Sequence, residues 1–318
     1  MVESLDSEGL AEVLKRSAAS SFVVVGIPAF NEEHTIAGVV LKAQRYAHKV
    51  LVCDDGSTDM TGEIAESLGA EVIRHERNLG YGAALRSLFN RAREVGADVL
   101  VTLDADGQHD PCEIPNVVEA VVDGGADIAI GSRFAEEHLA RGMPWYRRAG
   151  VKLITRLTND VAKYGVRDAQ SGFRAYGRRA LETLGLTENG MGASVEVLLE
   201  TRRLGLRVRE VPASCRYDRE LKGSTRHPII HGFDVVMAIL RRVVEERPLV
   251  FLGVPGVICL LVGAFFGAWM LQIYSVERSI PTNVALAAIA FVLVGLFTLF
   301  TAVTLYAISR LTLRISKN

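Results

Sequence analysis

Asp104 and Asp106 stand two residues apart at the end of the apolar run Val99–Leu103, and Gln108, His109 and Asp110 follow at once. Such a run reads as a buried strand that stops in a carboxylate-rich loop. Two carboxylates at that spacing can converge on one hard cation beyond the strand end. Mg2+ and Mn2+ take such oxygen ligands, commonly a few carboxylates completed by substrate phosphates. Asp110 has a plainer use: with Pro111 and Glu113 it makes an N-cap, N1 and N3 arrangement. Asp54 and Asp55 also end an apolar run, at the strand edge where open α/β sheets bind ligands. Arg133, after Asp127–Ile130, is a candidate partner for a phosphate or carboxylate, or else a solvated surface arginine.

The elements that must position these residues alternate. Strands are expected at 22–27, 49–53, 71–74, 98–103 and 127–130. Helices are expected from Asn31-Glu32-Glu33 to about Tyr46, over 60–68, after Gly82 to about Val95, and over 111–123. That order argues for an α/β sandwich with a mostly parallel sheet, whose acidic loops share one edge. Asn31 reads as an N-cap with two glutamates in the first turn, or as part of a loop that touches a ligand. Asp59 reads as the cap of the helix that follows it. Gly80-x-Gly82 is reminiscent of a dinucleotide fingerprint, but Leu85 stands where the third small residue belongs, so a dinucleotide fold is rejected. A helix N-terminus near phosphates remains open there.

The chain has 318 residues, 36 Lys and Arg against 37 Asp and Glu, and a net charge of −1. No global basic field points to nucleic acid. The mean hydropathy of +0.22 is high, and the excess lies at the C-terminus. Leu249–Tyr274 and Val284–Ile308 are 26 and 25 residues without a charge. At about 1.5 Å per residue each exceeds the roughly 30 Å hydrocarbon core, so both read as transmembrane helices of one hairpin. Arg241, Arg242 and Arg247 precede it, Arg310, Arg314 and Lys317 follow it, and only Arg278 lies in its turn. The positive-inside rule then puts the large domain and both termini in the cytoplasm of an integral membrane protein, in a plasma or ER-type membrane. Gly253, Gly256, Gly263 and Gly267 offer close packing within the hairpin or between chains of a homo-oligomer. Residues 144–164 form a basic amphipathic helix with Trp145 and Tyr146 at one end, suited to a membrane surface or to ordinary packing. A second amphipathic segment covers 229–248. Residues 1–20 read as a surface helix without the features of a signal peptide. Cys53, Cys112, Cys215 and Cys259 are too scattered for a metal site or a disulfide framework.

Five pieces, Pro28–Glu33, Asp54–Asp59, Asp104–His109, Gly131–Arg133 and Ser171–Arg174, occur in order over 22–230. Together they resemble family 2 glycosyltransferases of the GT-A fold, specifically polyprenyl-phosphate (dolichyl-phosphate) sugar synthases. The resemblance implies a GT-A catalytic domain over 21–228, a hairpin over 249–309 and a basic tail over 310–318. It implies an inverting transfer of a hexose from a nucleotide sugar to a polyprenyl phosphate. Asp104, Asp106 and Gln108 would hold Mg2+ or Mn2+ and the donor diphosphate. Pro28, Phe30, Glu32 and one of Asp54 and Asp55 would meet the nucleoside. Arg133 and Arg216 would face phosphate, with Lys222 or Arg226 completing the basic pair. Asp168, Gln170, Ser171 and Glu196 are the candidates on the sugar or acceptor side. The identity of the sugar, the nucleotide and the polyprenol stays open. A lipid phosphate is anionic at neutral pH, so no activated His or Ser–His pair is needed. A processive polysaccharide synthase would carry a Gln-x-x-Arg-Trp motif, which is absent. An inactive scaffold would be favoured by loss of an aspartate, and both are present. A membrane nucleotidyltransferase does not account for the Ser171–Arg174 and Asn31–Glu33 loops.

Overall fold

A computed structural model of the full chain describes residues 21–136, 139–140, 142–162, 164–216, 249–279 and 281–315. The expected surface helix over 1–20, the amphipathic segment 229–248, Lys222, Arg226 and Lys317 lie outside the described residues. The chain divides into two compact units, Met1–Val236 and Met237–Asn318.

The first unit is a seven-stranded sheet with helices on both faces. In chain order it runs β1 (Val23–Ala29), α1 (Ile36–Ala43), β2 (Lys49–Asp54), α2 (Thr61–Ser67), β3 (Glu71–Arg74), α3 (Tyr81–Glu94) and β4 (Val99–Thr102). Then come α4 (Ile114–Val122), β5 (Ile128–Ser132), α5 (Trp145–Ala162), β6 (Arg174–Gly177), α6 (Arg178–Thr183), α7 (Ala193–Arg203) and β7 (Val208–Pro212). The strand order is β3-β2-β1-β4-β6-β5-β7. Every pairing is parallel except those of β6, which runs against both β4 and β5.

The continuous apolar run of β1 follows from burial on both faces, as parallel strands require. Val23, Val25 and Ile27 join a core with Ile36, Val39 and Val40 of α1 and Val117 and Val118 of α4. Val24 faces the other way, into a core with Leu51, Leu100, Leu88 and Phe89. Phe89 meets Tyr176 of β6 edge to face at 4.7 Å, within the favoured aromatic range. The strand order reverses between β1 and β4, so the loops after these strands flank the crevice where such sheets take ligands. β6 runs the opposite way, so its beginning lies at the edge where β4 and β5 end. Arg174 pairs with Thr102 and Ile130 there. The loop that precedes β6 is thereby delivered to the same edge as Asp104 and Arg133.

β6 and α6 are the elements the hydrophobic pattern missed. Residues 168–174 read as a loop, and four residues, Arg-Ala-Tyr-Gly, are too few to show a period of two. Asn31 is not a helix cap. It sits at φ 55, Thr35 precedes α1, and the Asn31 Oδ1 accepts from the Thr58 amide at 2.8 Å.

The second unit pairs α8 (Val254–Glu277) with α9 (Thr282–Ile315), joined through Arg278 at φ 55. Val254–Glu277 and Thr282–Ile308 are each long and apolar enough to cross a bilayer. Only 11% and 6% of their most apolar windows are buried, so they are not core helices of this unit. Leu261, Phe265, Phe297 and Phe300 all face outward. The helices touch through glycine. A Cβ at Gly263 would fall 2.9 Å from the Val292 amide nitrogen, and one at Gly295 2.8 Å from the Gly256 carbonyl. Gly256 and Gly263 are thus used inside the hairpin, while Gly267 has nothing within 4 Å.

Two glycines of the first unit separate packing from propensity. A Cβ at Gly82 would sit 2.1 Å from the Glu188 carbonyl, whereas Gly38 in α1 meets nothing within 4 Å. Gly82→Ala is expected to destabilise the chain by about 1–3 kcal/mol through overpacking. Gly38→Ala is expected to be stabilising by up to about 1 kcal/mol through helix propensity. Thermal unfolding of the two variants in detergent checks the contrast.

Candidate functional site

Two loops are stitched together at the ends of β1 and β2. The Asn31 amide donates to Ser57 Oγ at 3.0 Å, the Glu32 amide to Thr61 Oγ1 at 2.7 Å and the Glu33 amide to Asp59 Oδ2 at 3.2 Å. Asp59 also accepts from the Thr61 amide, but the N-cap of α2 is Met60 and not the expected Asp59. Pro28 is buried within β1 opposite Cys53, and Phe30 is half-buried at its end. Asp54 accepts from the Ser57 amide at 2.9 Å, and a Cβ at Gly62 would lie 2.5 Å from its other oxygen. Asp55 is buried and holds the chain before α3: Oδ1 accepts from the Leu79 amide and lies 2.6 Å from His75 Nδ1, and Oδ2 accepts from the Gly80 amide. Both aspartates therefore fix backbone, and Asp55 engages both its oxygens in doing so.

The start of α3 is not an open anion site. The Gly82 amide donates to the Asn189 carbonyl at 2.8 Å, and Gly80, at φ 101, has that same oxygen 2.4 Å from where a Cβ would be. The Gly80-x-Gly82 spacing serves a close approach of the 187–190 loop. Glu196, in the first turn of α7, holds that loop by accepting from the amides of Thr187 and Glu188 at 3.0 Å. The structure thus places Glu196 on the loop that covers α3.

The acid loop after β4 is held from outside. The Gln108 amide donates to Asp106 Oδ1 at 2.9 Å, and Gly107 takes φ 70 to make the turn. Asp110 accepts from the Cys112 amide, as expected of a cap. Glu113 accepts instead from the Ser214 amide, His109 Nδ1 lies 3.1 Å from the Ser214 carbonyl, and the Arg216 amide donates to the Gln108 carbonyl at 2.8 Å. Residues 214–216 thus run along the acid loop, and the exposed Arg216 stands beside it.

Arg133 and Asp168 form a buried bidentate pair. Arg133 Nε donates to Asp168 Oδ2 at 2.6 Å and Nη2 to Oδ1 at 2.8 Å. Burial alone would raise the Asp168 carboxyl, but the guanidinium overrides it and holds it below the usual range. Gln170 is half-buried, and the fully buried Ser171 Oγ has no hydrogen-bond partner among the described residues. Gly172 lies against the acid pair: a Cβ there would fall 2.5 and 2.6 Å from the two Asp104 carboxyl oxygens.

Carboxylates crowd one another on the acid side. Burial, then the neighbouring Asp106, pushes Asp104 up to about 7, against the opposing pull of Arg133 and Arg174. Burial, then Asp106 and Asp59, likewise pushes Glu32 up to about 7, although Thr35 donates to it. Glu32 of the β1 loop and the β4 aspartates thus share one field across the crevice. Such a set fits a hard divalent cation, which lowers the cost of holding carboxylates together. The Gln108 side-chain oxygen lies 3.8 Å from Cys215 Sγ, and among the described residues no three His, Cys, Asp or Glu groups form a closed metal cage. Two carboxylates with the remaining positions left to ligand oxygens is the pattern in which Mg2+ and Mn2+ meet phosphorylated substrates. No cysteine forms a disulfide among the described residues, and burial pushes the Cys53 thiol up to about 12.

Comparison with known proteins bears on the fold and the family. The model of the family "Glycosyl transferase family 2" matches residues 24–185. A UDP-N-acetylglucosamine–dolichyl-phosphate N-acetylglucosaminyltransferase of Methanococcus voltae is 32% identical, over 70% of this chain and 96% of its own. A polyprenol monophosphomannose synthase of Mycolicibacterium smegmatis is 34% identical, over 62% of this chain and 78% of its own. Among solved structures, glucosyl-3-phosphoglycerate synthase of Mycobacterium tuberculosis, crystallised with Mn2+, UDP and phosphoglyceric acid, superposes with a TM-score of 0.57 at 23% identity. That alignment covers 76% of this chain and 84% of the other, and shows a GT-A-like fold.

Two substitutions test the electrostatics. Asp168→Asn leaves a buried guanidinium without its counter-charge and is expected to cost about 3–5 kcal/mol in chemical denaturation. Glu32→Gln should act in the opposite direction in metal-free buffer. A carboxyl raised from 4.5 to about 7 binds more protons folded than unfolded, so its burden on stability is absent at pH 4 and grows as pH rises through 7. Allowing for its half-exposed position, the variant should gain about 1–2 kcal/mol over wild type at pH 8 and nothing at pH 4.

Proposed function

The chain belongs to glycosyl transferase family 2, and on that premise we propose that it moves a hexose from a nucleotide sugar to a polyprenyl (dolichyl) phosphate, inverting the anomeric centre. One observation carries the reading. A single chain joins the carboxylate pair Asp104 and Asp106, at the ligand edge of a GT-A-like sheet, to two helices of bilayer length. The names of the Methanococcus voltae and Mycolicibacterium smegmatis relatives favour the same acceptor class.

Asp104 and Asp106 would hold Mg2+ or Mn2+, with Gln108 as the third candidate. When bound, the cation neutralises charge on the leaving diphosphate. The chain's own residues do the rest. Glu32 and the stitched Pro28–Glu33 and Asp54–Asp59 loops form the nucleoside side of the crevice, with Pro28, Phe30 and Asp54 or Asp55 as its candidates. Arg133, fixed in orientation by Asp168, supplies positive charge near Asp104, and Arg216 does so beside the acid loop. Preorganised charges of this kind stabilise a developing anion without reorganising. Lys222 or Arg226 would extend that basic lining. Gln170 and Ser171 sit on the loop that faces the acid pair and are proposed on the sugar or acceptor side. The acceptor phosphate already carries negative charge at neutral pH, so attack on the anomeric carbon needs no general base. Arginine and lysine at both outer ends of the hairpin in the sequence favour a cytoplasmic catalytic unit with both termini on the same side.

Purified full-length protein in detergent, given UDP-glucose, UDP-N-acetylglucosamine or GDP-mannose with a polyprenyl phosphate and Mn2+ or Mg2+, is expected to put sugar into the organic phase. Asp106→Ala should lower that transfer on the order of 100-fold or more, and EDTA should abolish it. Transfer that persists in EDTA would overturn the metal assignment. No lipid-linked product from any donor would overturn the function.

A further inference from the structure

Arg174 heads the largest fully buried side chains of the first unit, yet it meets no described carboxylate in an ion pair. Its guanidinium is divided among three carbonyls. Nε donates to Ser171 at 2.8 Å, Nη1 to Ser194 at 3.0 Å and Nη2 to Ala169 at 2.7 Å. A buried charge is costly to desolvate, and an apolar side chain would fill the same volume at lower cost. The location explains the choice. Arg174 opens β6, beside the C-terminal ends of β4 and β5, and the segment it grips has no helix or strand of its own. Thr102 holds the Gly172 carbonyl at 2.7 Å, and Asp168 is anchored to Arg133. Between those anchors Thr155 Oγ1 accepts from the Ala169 amide at 3.2 Å, and among the described residues the fork of Arg174 is what fixes the carbonyls of Ala169 and Ser171 and ties them to the start of α7 at Ser194. Gly172, on this segment, touches the Asp104 carboxylate. The same guanidinium also draws Asp104 downward against burial and Asp106.

We propose that Arg174 is a positioning residue for the transfer reaction: its three-way grip holds the Ala169–Gly172 segment as a rigid wall against Asp104. The inference rests on the transferase reading above. Arg174 is shut off from solvent with its guanidinium engaged by three carbonyls, so it acts through the wall it holds. The nucleoside side of the crevice, built from the loops after β1 and β2, does not depend on it.

Arg174→Gln and Arg174→Lys in the full chain, assayed in detergent well below each variant's Tm, separate this role from plain stabilisation. Misplacement of a site wall by about 1 Å lowers turnover on the order of 100-fold. Arg174→Gln should therefore lose kcat by about 30–100-fold with donor KM changed by less than about threefold, and Arg174→Lys should recover about tenfold of the loss. Hydrogen exchange should show residues 169–172 losing protection in Arg174→Gln, while Leu79 and Gly80, held by Asp55, keep theirs. A kcat within threefold of wild type overturns the proposal. So do losses that follow the folded fraction and are not relieved by lysine, or unchanged protection at 169–172. A wild-type chain that transfers no sugar would sink the transferase reading instead; the exchange measurement does not need activity and decides the wall by itself.

Discussion

The crowding of three carboxylates into one crevice is the constraint around which the first unit is arranged. Glu32, Asp104 and Asp106 repel one another in a partly desolvated crevice, and burial raises two of them to about 7. Nothing local would keep such groups together. The sheet does so by brute geometry: β1 and β4 are adjacent and in register from Val23 and Val99 to Gly26 and Thr102, so their loops cannot separate. The core on both faces supplies the stability that the crevice draws down, as strained functional sites generally require.

Positive charge is placed with equal care but by another route. Arg133 and Arg174 both approach Asp104, and both are immobilised first, one by a carboxylate and the other by three carbonyls. An arginine fixed in this way keeps its charge where it is needed and gives up the option of swinging to a ligand. The exposed Arg216 keeps that option, because only its backbone is tied to the acid loop.

Much of this was legible in the sequence, for reasons that differ by element. β1, β2, β4 and β5 show because parallel strands buried on both faces leave apolar runs. The acid loop shows because two aspartates directly after such a run have few structural uses. β6 did not show, since four residues carry no period and its role comes from neighbours distant in sequence. Asp55 and Glu196 show what the sequence did not: each is engaged by backbone amides that only the folded chain brings near. Gly82 and Gly172 could be noted in the sequence but not explained, because what a missing side chain makes room for is written elsewhere in the chain.

The antiparallel pairing of β6 has a consequence for how such a protein can change. Ile130 and Arg174 are hydrogen-bonded neighbours, so the chain leaves the sheet after β5 and returns to it one strand away. Everything between them, the basic helix α5 and the wall beside Asp104 included, is a single excursion with its two ends pinned together. Closing such an excursion costs only about 0.6 kcal/mol more for each doubling of its length. The fold therefore carries an exchangeable cassette. A longer, shorter or wholly different insert fits there, and with it a new lining beside Asp104, while the acid loop and the register of the parallel strands stay as they are.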